Sequence, residues 1–203
     1  MSDYVASAAE VKALRETTGA GIMECKNVLS EVGGDQEAAV KLLRERGIAK
    51  TGKRADRTTT EGLIEAYVHG GRIGVLVEIG CETDFVAGTD EFKAFAHEVA
   101  LQISASSDAR WVSREDVPAD VIESELEIYR AQAADKPENV RPKIAEGKLK
   151  KWMSEVVLLN QPHVNTDKYD GKTIEELRAE TASKTGENVV IRRFERFAVD
   201  DES

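Results

Sequence analysis

Ile73-Gly74-Val75-Leu76-Val77-Glu78-Ile79-Gly80-Cys81-Glu82-Thr83-Asp84-Phe85-Val86-Ala87 changes its pattern halfway along. The apolar residues at 73, 75, 77 and 79 alternate, as on the buried face of a strand. From Glu82 the alternation stops, and Phe85 and Val86 stand in a connection where large apolar side chains are unusual. Two readings are open there. Either both side chains tuck under the sheet and close the core, or Phe85 protrudes as an apolar wedge beside the Asp84 carboxylate. A wedge of that kind suits insertion into a pocket on a partner.

Working outward, Leu63 to Val68 is a second β-rich run, and His69-Gly70-Gly71-Arg72 separates it from the first. A Gly-Gly pair between β-branched runs is a hairpin signal. On the other side, Thr89-Asp90-Glu91 has the chemistry of a helix start. Phe92, Phe95, Ala96, Val99, Ala100 and Ile103 follow as an amphipathic stripe, which predicts a helix packed on the hairpin. Ser113 to Asp116 and Pro118 open another helix, through Tyr129. A second long helix after Asn139 carries Leu149, Trp152, Val156 and Leu159 and is expected to end at Gln161-Pro162. Asp170-Gly171 is a turn, and Thr173 to Glu176 matches a capping box. Val189 to Ala198 reads as a third strand.

Residues 5–47 read as three short helices. The first carries Val11 and Leu14 and stops at Thr17-Thr18-Gly19-Ala20-Gly21, where glycines allow a sharp turn. The second runs from Ile22 to Val32 with Ile22, Cys25 and Leu29 inward. Asp35 caps the third, whose inward residues are Ala39, Leu42 and Leu43, with Gly47 as its C′ residue. A unit this small is marginal alone and serves well as a docking module. The fold class expected is α+β: residues 1–50 a three-helix bundle, 51–60 a linker, and 61–203 a core domain with a small antiparallel sheet of about three strands packed by helices.

Composition narrows the function. Hydrophobic residues make 41% and charged residues 33% of the 203, a globular composition with a solvated surface. No run approaches ~18 consecutive apolar residues, so no membrane association is expected. Met1 to Glu10 lacks the pattern of a secretory signal, and the expected location is cytoplasmic. Net charge is −10; residues 1–57 carry 10 Lys/Arg against 9 Asp/Glu, and the remainder 18 against 29. An acidic body lacks the basic footprint that direct nucleic-acid binding needs. Lys50, Lys53, Arg54 and Arg57, without interleaved aromatic residues, read as a solvated hinge.

Cys25 and Cys81 form no CxxC pair and read as reduced thiols. His69, His97 and His163 lack metal-ligand spacing. No phosphate-binding loop, dinucleotide fingerprint, nucleophile elbow or HExxH is present. Cys81 as a nucleophile would need a base such as His97 or His163, and a small buried residue at a strand end is the plainer reading. No enzyme activity and no cofactor are expected.

Several segments resemble the elongation factor Ts family. Leu14-Arg15 through Gly19, Gly21, Met23, Cys25 and Lys26 is similar to its N-terminal signature, as is Leu42-Leu43-Arg44 through Gly47. Gly74 to Ala87 resembles its second signature. Glu146 to Lys151, Val156 to Pro162 and Val189 to Phe194 also match, in family order. The resemblance implies a ubiquitin-associated-like bundle joined to an α+β core. It implies a guanine-nucleotide exchange factor for translation elongation, acting on elongation factor Tu: it binds the GDP form, disturbs the Mg2+/phosphate site and holds the nucleotide-free form until GTP binds. Carried over, Thr83, Asp84, Phe85 and Val86 are the exchange segment. Arg15, Ile22 and Met23 are docking residues for the partner's nucleotide-binding domain.

The chain departs from the longer family pattern. It has one copy of the core half-domain and no inserted coiled-coil hairpin, and residues 50–57 replace an alanine/lysine-rich helical continuation. Short members appear in pairs, which implies a homodimer through the core domain, by its sheet edges or the Trp152 stripe. His69 and its turn are then expected to meet a second partner molecule. The rival classes are a docking adaptor, which leaves residues 62–87 unused, and a small cysteine-dependent enzyme.

Overall fold

Three helices open the chain: α1 (Ala8–Thr18), α2 (Ile22–Glu31) and α3 (Gln36–Gly52). The computed structural model describes residues 4–18, 20–52 and 54–199, apart from the side chains of residues 44 and 48–52. Gly19, expected in the turn after α1, therefore lies outside the described residues. Ser7 and Glu10 cap α1 reciprocally: the Ser7 N–H donates to Glu10 Oε2 at 2.8 Å and the Glu10 N–H to Ser7 Oγ at 3.3 Å. The Asp35 carboxylate accepts the Ala38 N–H at 3.0 Å and opens α3. Val11, Leu14, Cys25, Val28, Leu29, Ala39 and Leu43 form the bundle core, with Leu42 packed beside it. Gly34 has φ +89°, and a Cβ there would lie 2.4 Å from the Tyr4 ring, so only glycine fits.

Two expectations change here. Ile22 is not inward but 56% exposed. Its Cα–Cβ bond leans toward the helix N-terminus, so a first-turn side chain overhangs the end instead of covering the stripe. Helix α3 does not stop at Gly47 but continues to Gly52. No proline follows, and a single mid-helix glycine costs only about 1 kcal/mol, which the continued backbone ladder outweighs.

Strands β1 (Glu61–His69) and β2 (Ile73–Cys81) form the expected hairpin. Gly70 and Gly71 have φ 56° and 71°, the positive values that a tight hairpin turn demands, and the Arg72 N–H donates to the His69 carbonyl at 3.0 Å. Strand β3 (Val190–Ala198) completes a three-stranded antiparallel sheet in the order β1-β2-β3. Between the strands run α4 (Asp84–Ala87), α5 (Asp90–Ala105), α6 (Ala119–Gln132), α7 (Arg141–Val156), α8 (Thr166–Tyr169) and α9 (Ile174–Thr185). Mixed helix and antiparallel strand make the fold α+β, as expected.

The α5 stripe is buried at every position expected: Phe92, Phe95, Ala96, Val99, Ala100 and Ile103. His97 Nδ1 lies 3.0 Å from Glu65 Oε1, so the odd-numbered side chains of β1 face α5. Ile64, Val68 and Leu76 have even numbers, point to the opposite face and are exposed.

Helix α7 ends at Val156, short of Gln161-Pro162. β-branched Val157 leaves the helix so that the backbone of residues 156–159 can pair with residues 110–112. The Leu158 N–H donates to the Trp111 carbonyl at 2.9 Å and the Leu159 N–H to Val112 at 3.0 Å. Leu159 thus sits in a short 3-10 turn, Leu158–Asn160. The Trp152 ring centroid lies 6.0 Å from that of Trp111. Both rings pack, with Val121, Ile122, Leu126 and Tyr129, against the buried cluster of Val117, Leu149, Met153, Val156 and Val157, so the Trp152 stripe is largely covered from within.

The chain divides into two compact units. One is Met1–Gly62, Gly80–Phe92 and Arg178–Val190; it holds the three opening helices and α4. The other is Leu63–Ile79, Lys93–Leu177 and Ile191–Ser203; it holds most of the sheet and the α6–α7 hairpin. Among the described residues, no helix is long and apolar enough to cross a membrane.

Candidate functional site

The segment after β2 is a one-turn helix. Thr83 is extended (φ −129°, ψ 153°) and its Oγ1 accepts the Val86 N–H at 3.3 Å, an N-cap for α4. The turn closes when the Gly88 N–H donates to the Asp84 carbonyl at 3.0 Å and the Thr89 hydroxyl to the Val86 carbonyl at 2.7 Å. The two adjacent apolar residues then part company: Val86 is 5% exposed and Phe85 is 80% exposed. Of the two readings of this connection, Val86 closes the core and Phe85 protrudes. Asp84 is exposed beside it.

A turn of four residues cannot hold itself, since isolated helices need about 12–15 residues. Here a distant carboxylate does the work. Glu187 Oε2 accepts the N–H groups of Glu82 and Thr83, both at 3.0 Å, and Oε1 accepts the Thr83 hydroxyl at 2.6 Å. The tie is reciprocal, because Glu82 Oε1 accepts the Asn188 N–H at 2.6 Å and pairs with Arg57 at 3.3 Å. The Asn188 N–H, with Arg57 beside it, holds the Glu82 carboxyl below its usual range. The buried Asn188 amide donates to the Ala55 and Arg57 carbonyls at 3.3 and 3.0 Å. Three stretches, 55–57, 82–83 and 187–188, are thereby stitched together.

Arg54 and Arg57 are accordingly engaged, not merely solvated: Arg54 Nη1 donates to the Ala182 carbonyl at 2.8 Å. The side chains of Lys50 and Lys53 lie outside the described residues. Arg15, Ile22 and Met23 are all exposed, Met23 at 65%. They fall in the same compact unit as Thr83 to Val86. His69 belongs to the other unit, exposed at the hairpin turn, with Nδ1 2.9 Å from the Tyr67 hydroxyl.

Nucleophilic chemistry finds no support in the thiols. Cys81 is buried, its thiol donates to the Thr83 carbonyl at 3.1 Å, and burial together with the Glu187 charge pushes its pKa up. His97 is held by Glu65, and His163 accepts the Asn165 N–H at 3.0 Å. Among the described residues no group of three or more His, Cys, Asp or Glu could hold a metal ion. What the arrangement offers is a fixed apolar projection flanked by a carboxylate, which suits recognition.

Sequence reasoning missed Glu187 and Asn188, gave Glu82 no role and read Arg57 as part of a solvated hinge. Glu187 lies 104 residues from Thr83 along the chain. Gly186-Glu187-Asn188 has the look of any polar turn before a strand, so no local signal distinguishes it.

A family profile described as Elongation factor TS matches residues 2–170. Among curated relatives, an "Elongation factor Ts" of Carboxydothermus hydrogenoformans is 55% identical over 190 residues, covering 92% of this chain and 86% of its own. One from Caldanaerobacter subterraneus subsp. tengcongensis is 53% identical, covering 94% and 95%. One from Thermotoga petrophila is 54% identical, covering 93% and 94%. Identity above one half across nearly the full length of each partner, together with a profile that spans most of the chain, places this chain in the elongation factor Ts family of translation elongation factors.

Proposed function

We propose that this protein is a guanine-nucleotide exchange factor that binds elongation factor Tu in its GDP form and promotes GDP release. The observation that carries the reading is Phe85, 80% exposed on a capped turn whose neighbouring apolar residue is buried. Phe85 enters an apolar pocket of the partner, and Asp84 disturbs the charges around its Mg2+ and phosphates. Thr83 and Val86 hold the turn from either side. Arg15, Ile22 and Met23 dock residues 1–50 on the nucleotide-binding domain, 51–60 serve as linker, and 61–203 form the core domain.

Binding and release are linked. A protein that prefers elongation factor Tu without nucleotide weakens nucleotide binding by the same factor, and GTP rebinding frees it. No covalent step is involved, so the protein is not an enzyme in the chemical sense. It acts where translation runs, in the cytoplasm, without direct nucleic-acid or membrane contact. The test is release of labelled GDP from elongation factor Tu: acceleration by the intact chain supports the reading, and the absence of acceleration sinks it.

The active form is a homodimer through the core domain, and His69 meets a second partner molecule. The exposed Ile64, Val68 and Leu76 on one sheet face support self-association. Leu76→Lys should yield monomers in sedimentation, and a variant that stays dimeric would remove the sheet face from the interface.

A further inference from the structure

We infer that Glu187 is a positioning residue for nucleotide exchange: its carboxylate aims the exposed Phe85 by clamping the backbone and hydroxyl of Thr83. This deepens the exchange reading above and rests on it.

Phe85 has almost no packing of its own, so its direction is inherited from the backbone at residues 83–86. That backbone starts from two N–H groups and one hydroxyl, all donated to Glu187. The hydroxyl matters most. It carries one hydrogen, and that hydrogen goes to Glu187 Oε1 at 2.6 Å. A lone pair is left to accept the Val86 N–H at 3.3 Å, which is the bond that caps α4. Glu187 therefore sets the rotamer of the cap as well as the path of the chain into it. Glu187 is itself anchored, because the next residue, Asn188, is 1% exposed and donates to two carbonyls of residues 55 and 57. An unclamped segment would sample several directions for the ring, and misplacement costs rate more than it costs affinity spread over a wide interface.

The experiment compares intact chains carrying Glu187→Ala, Glu187→Gln and Phe85→Ala, with GDP release from elongation factor Tu measured over a range of chain concentrations. Glu187→Ala should lower the maximal rate roughly tenfold, with the half-saturating concentration changed less than about twofold. Glu187→Gln should recover to within about threefold of the parent, since its amide oxygen accepts the two N–H groups and its NH2 meets the Thr83 hydroxyl oxygen. A Glu187→Ala chain that exchanges at the parent rate, or a Gln variant as slow as Ala, overturns the role. Should Glu187→Ala fail to fold, Thr83→Val removes the oriented hydroxyl while keeping the shape. It must show the same loss of maximal rate, and a normal rate there overturns the inference equally. If Phe85→Ala is slow while Glu187→Ala is normal, only the positioning role falls. If Phe85→Ala is also normal, the exchange-segment reading fails and the positioning role with it.

Discussion

Two four-residue helices in this molecule are built alike and used differently. In α4 the Thr83 hydroxyl caps the Val86 N–H; in α8 the Asn165 side chain caps the Lys168 N–H at 3.1 Å. Each carries one aromatic residue. Tyr169 of α8 lies with its ring centroid 4.3 Å from that of His163, which is fully buried. Lys168 beside it reaches Glu98 at 2.5 Å. Phe85 of α4 meets solvent instead. The local chemistry makes the same turn twice, and only the destination of the ring separates a half-buried structural plug, Tyr169, from the exposed Phe85.

That contrast can be broken by exchange of symptoms. Tyr169→Ala should lose about 2–4 kcal/mol of stability in denaturant unfolding and exchange normally well below its midpoint. Slow exchange in a well-folded Tyr169→Ala chain would erase the distinction. Phe85→Ala should do the reverse. Its thermal midpoint should stay near that of the parent, while exchange slows by about 1.5–3 kcal/mol of lost burial in the partner, roughly ten- to hundredfold. A large fall in midpoint would make Phe85 a plug after all.

Asp84→Asn sharpens the comparison at smaller scale. It keeps size and removes charge, and should slow exchange in magnesium roughly fivefold, about 1 kcal/mol, without loss of binding. On the proposed mechanism, chelating the magnesium should shrink that defect, since the ion that Asp84 is proposed to displace is then gone. An undiminished defect points away from the metal site.

The smallest effect belongs to the α8 side. Burial holds the His163 ring below its ordinary value of 6.5, opposed by Glu98, whose Oε2 is 3.1 Å from Nε2. The unfolded chain therefore takes up that proton at a higher pH than the folded one. Stability is complete above 6.5 and declines as pH falls below it. Glu98, Lys168 and Tyr169 are the charged or titratable groups around the ring. His163→Asn, which keeps an acceptor for the Asn165 N–H, should flatten the decline that sets in as pH falls below the ordinary value of 6.5. Phe85→Ala should leave the slope as it is.

Periodicity made the α5 stripe, the hairpin and β3 readable, because burial there repeats along a regular element. Turn chemistry exposed Gly70-Gly71 and the Thr173 box, whose Glu176 carboxylate accepts the Thr173 N–H at 2.8 Å. The reading failed at helix ends. Ile22 follows the stripe rule but overhangs the first turn, and Gly47 carries a stop signal that the surrounding helix formers override. Val157 leaves α7 for backbone pairing with a stretch that no local pattern announces. In the candidate site, the motif from Cys81 to Ala87 was visible and the direction of Phe85 was not. That direction depends on Glu187, and a carboxylate 104 residues away leaves no periodic trace.

The exposure of Phe85 in the free chain carries a kinetic consequence. A recognition group that must first swing out of a core is present only in a fraction of molecules, and apparent affinity falls by that fraction. Here the ring is already out, on a turn tied to Glu187, so with Phe85 as the proposed recognition group the competent state is the resting state. Encounter with a partner needs no prior opening step. The observed association rate should rise in proportion to concentration, without the plateau that a slow isomerisation would impose.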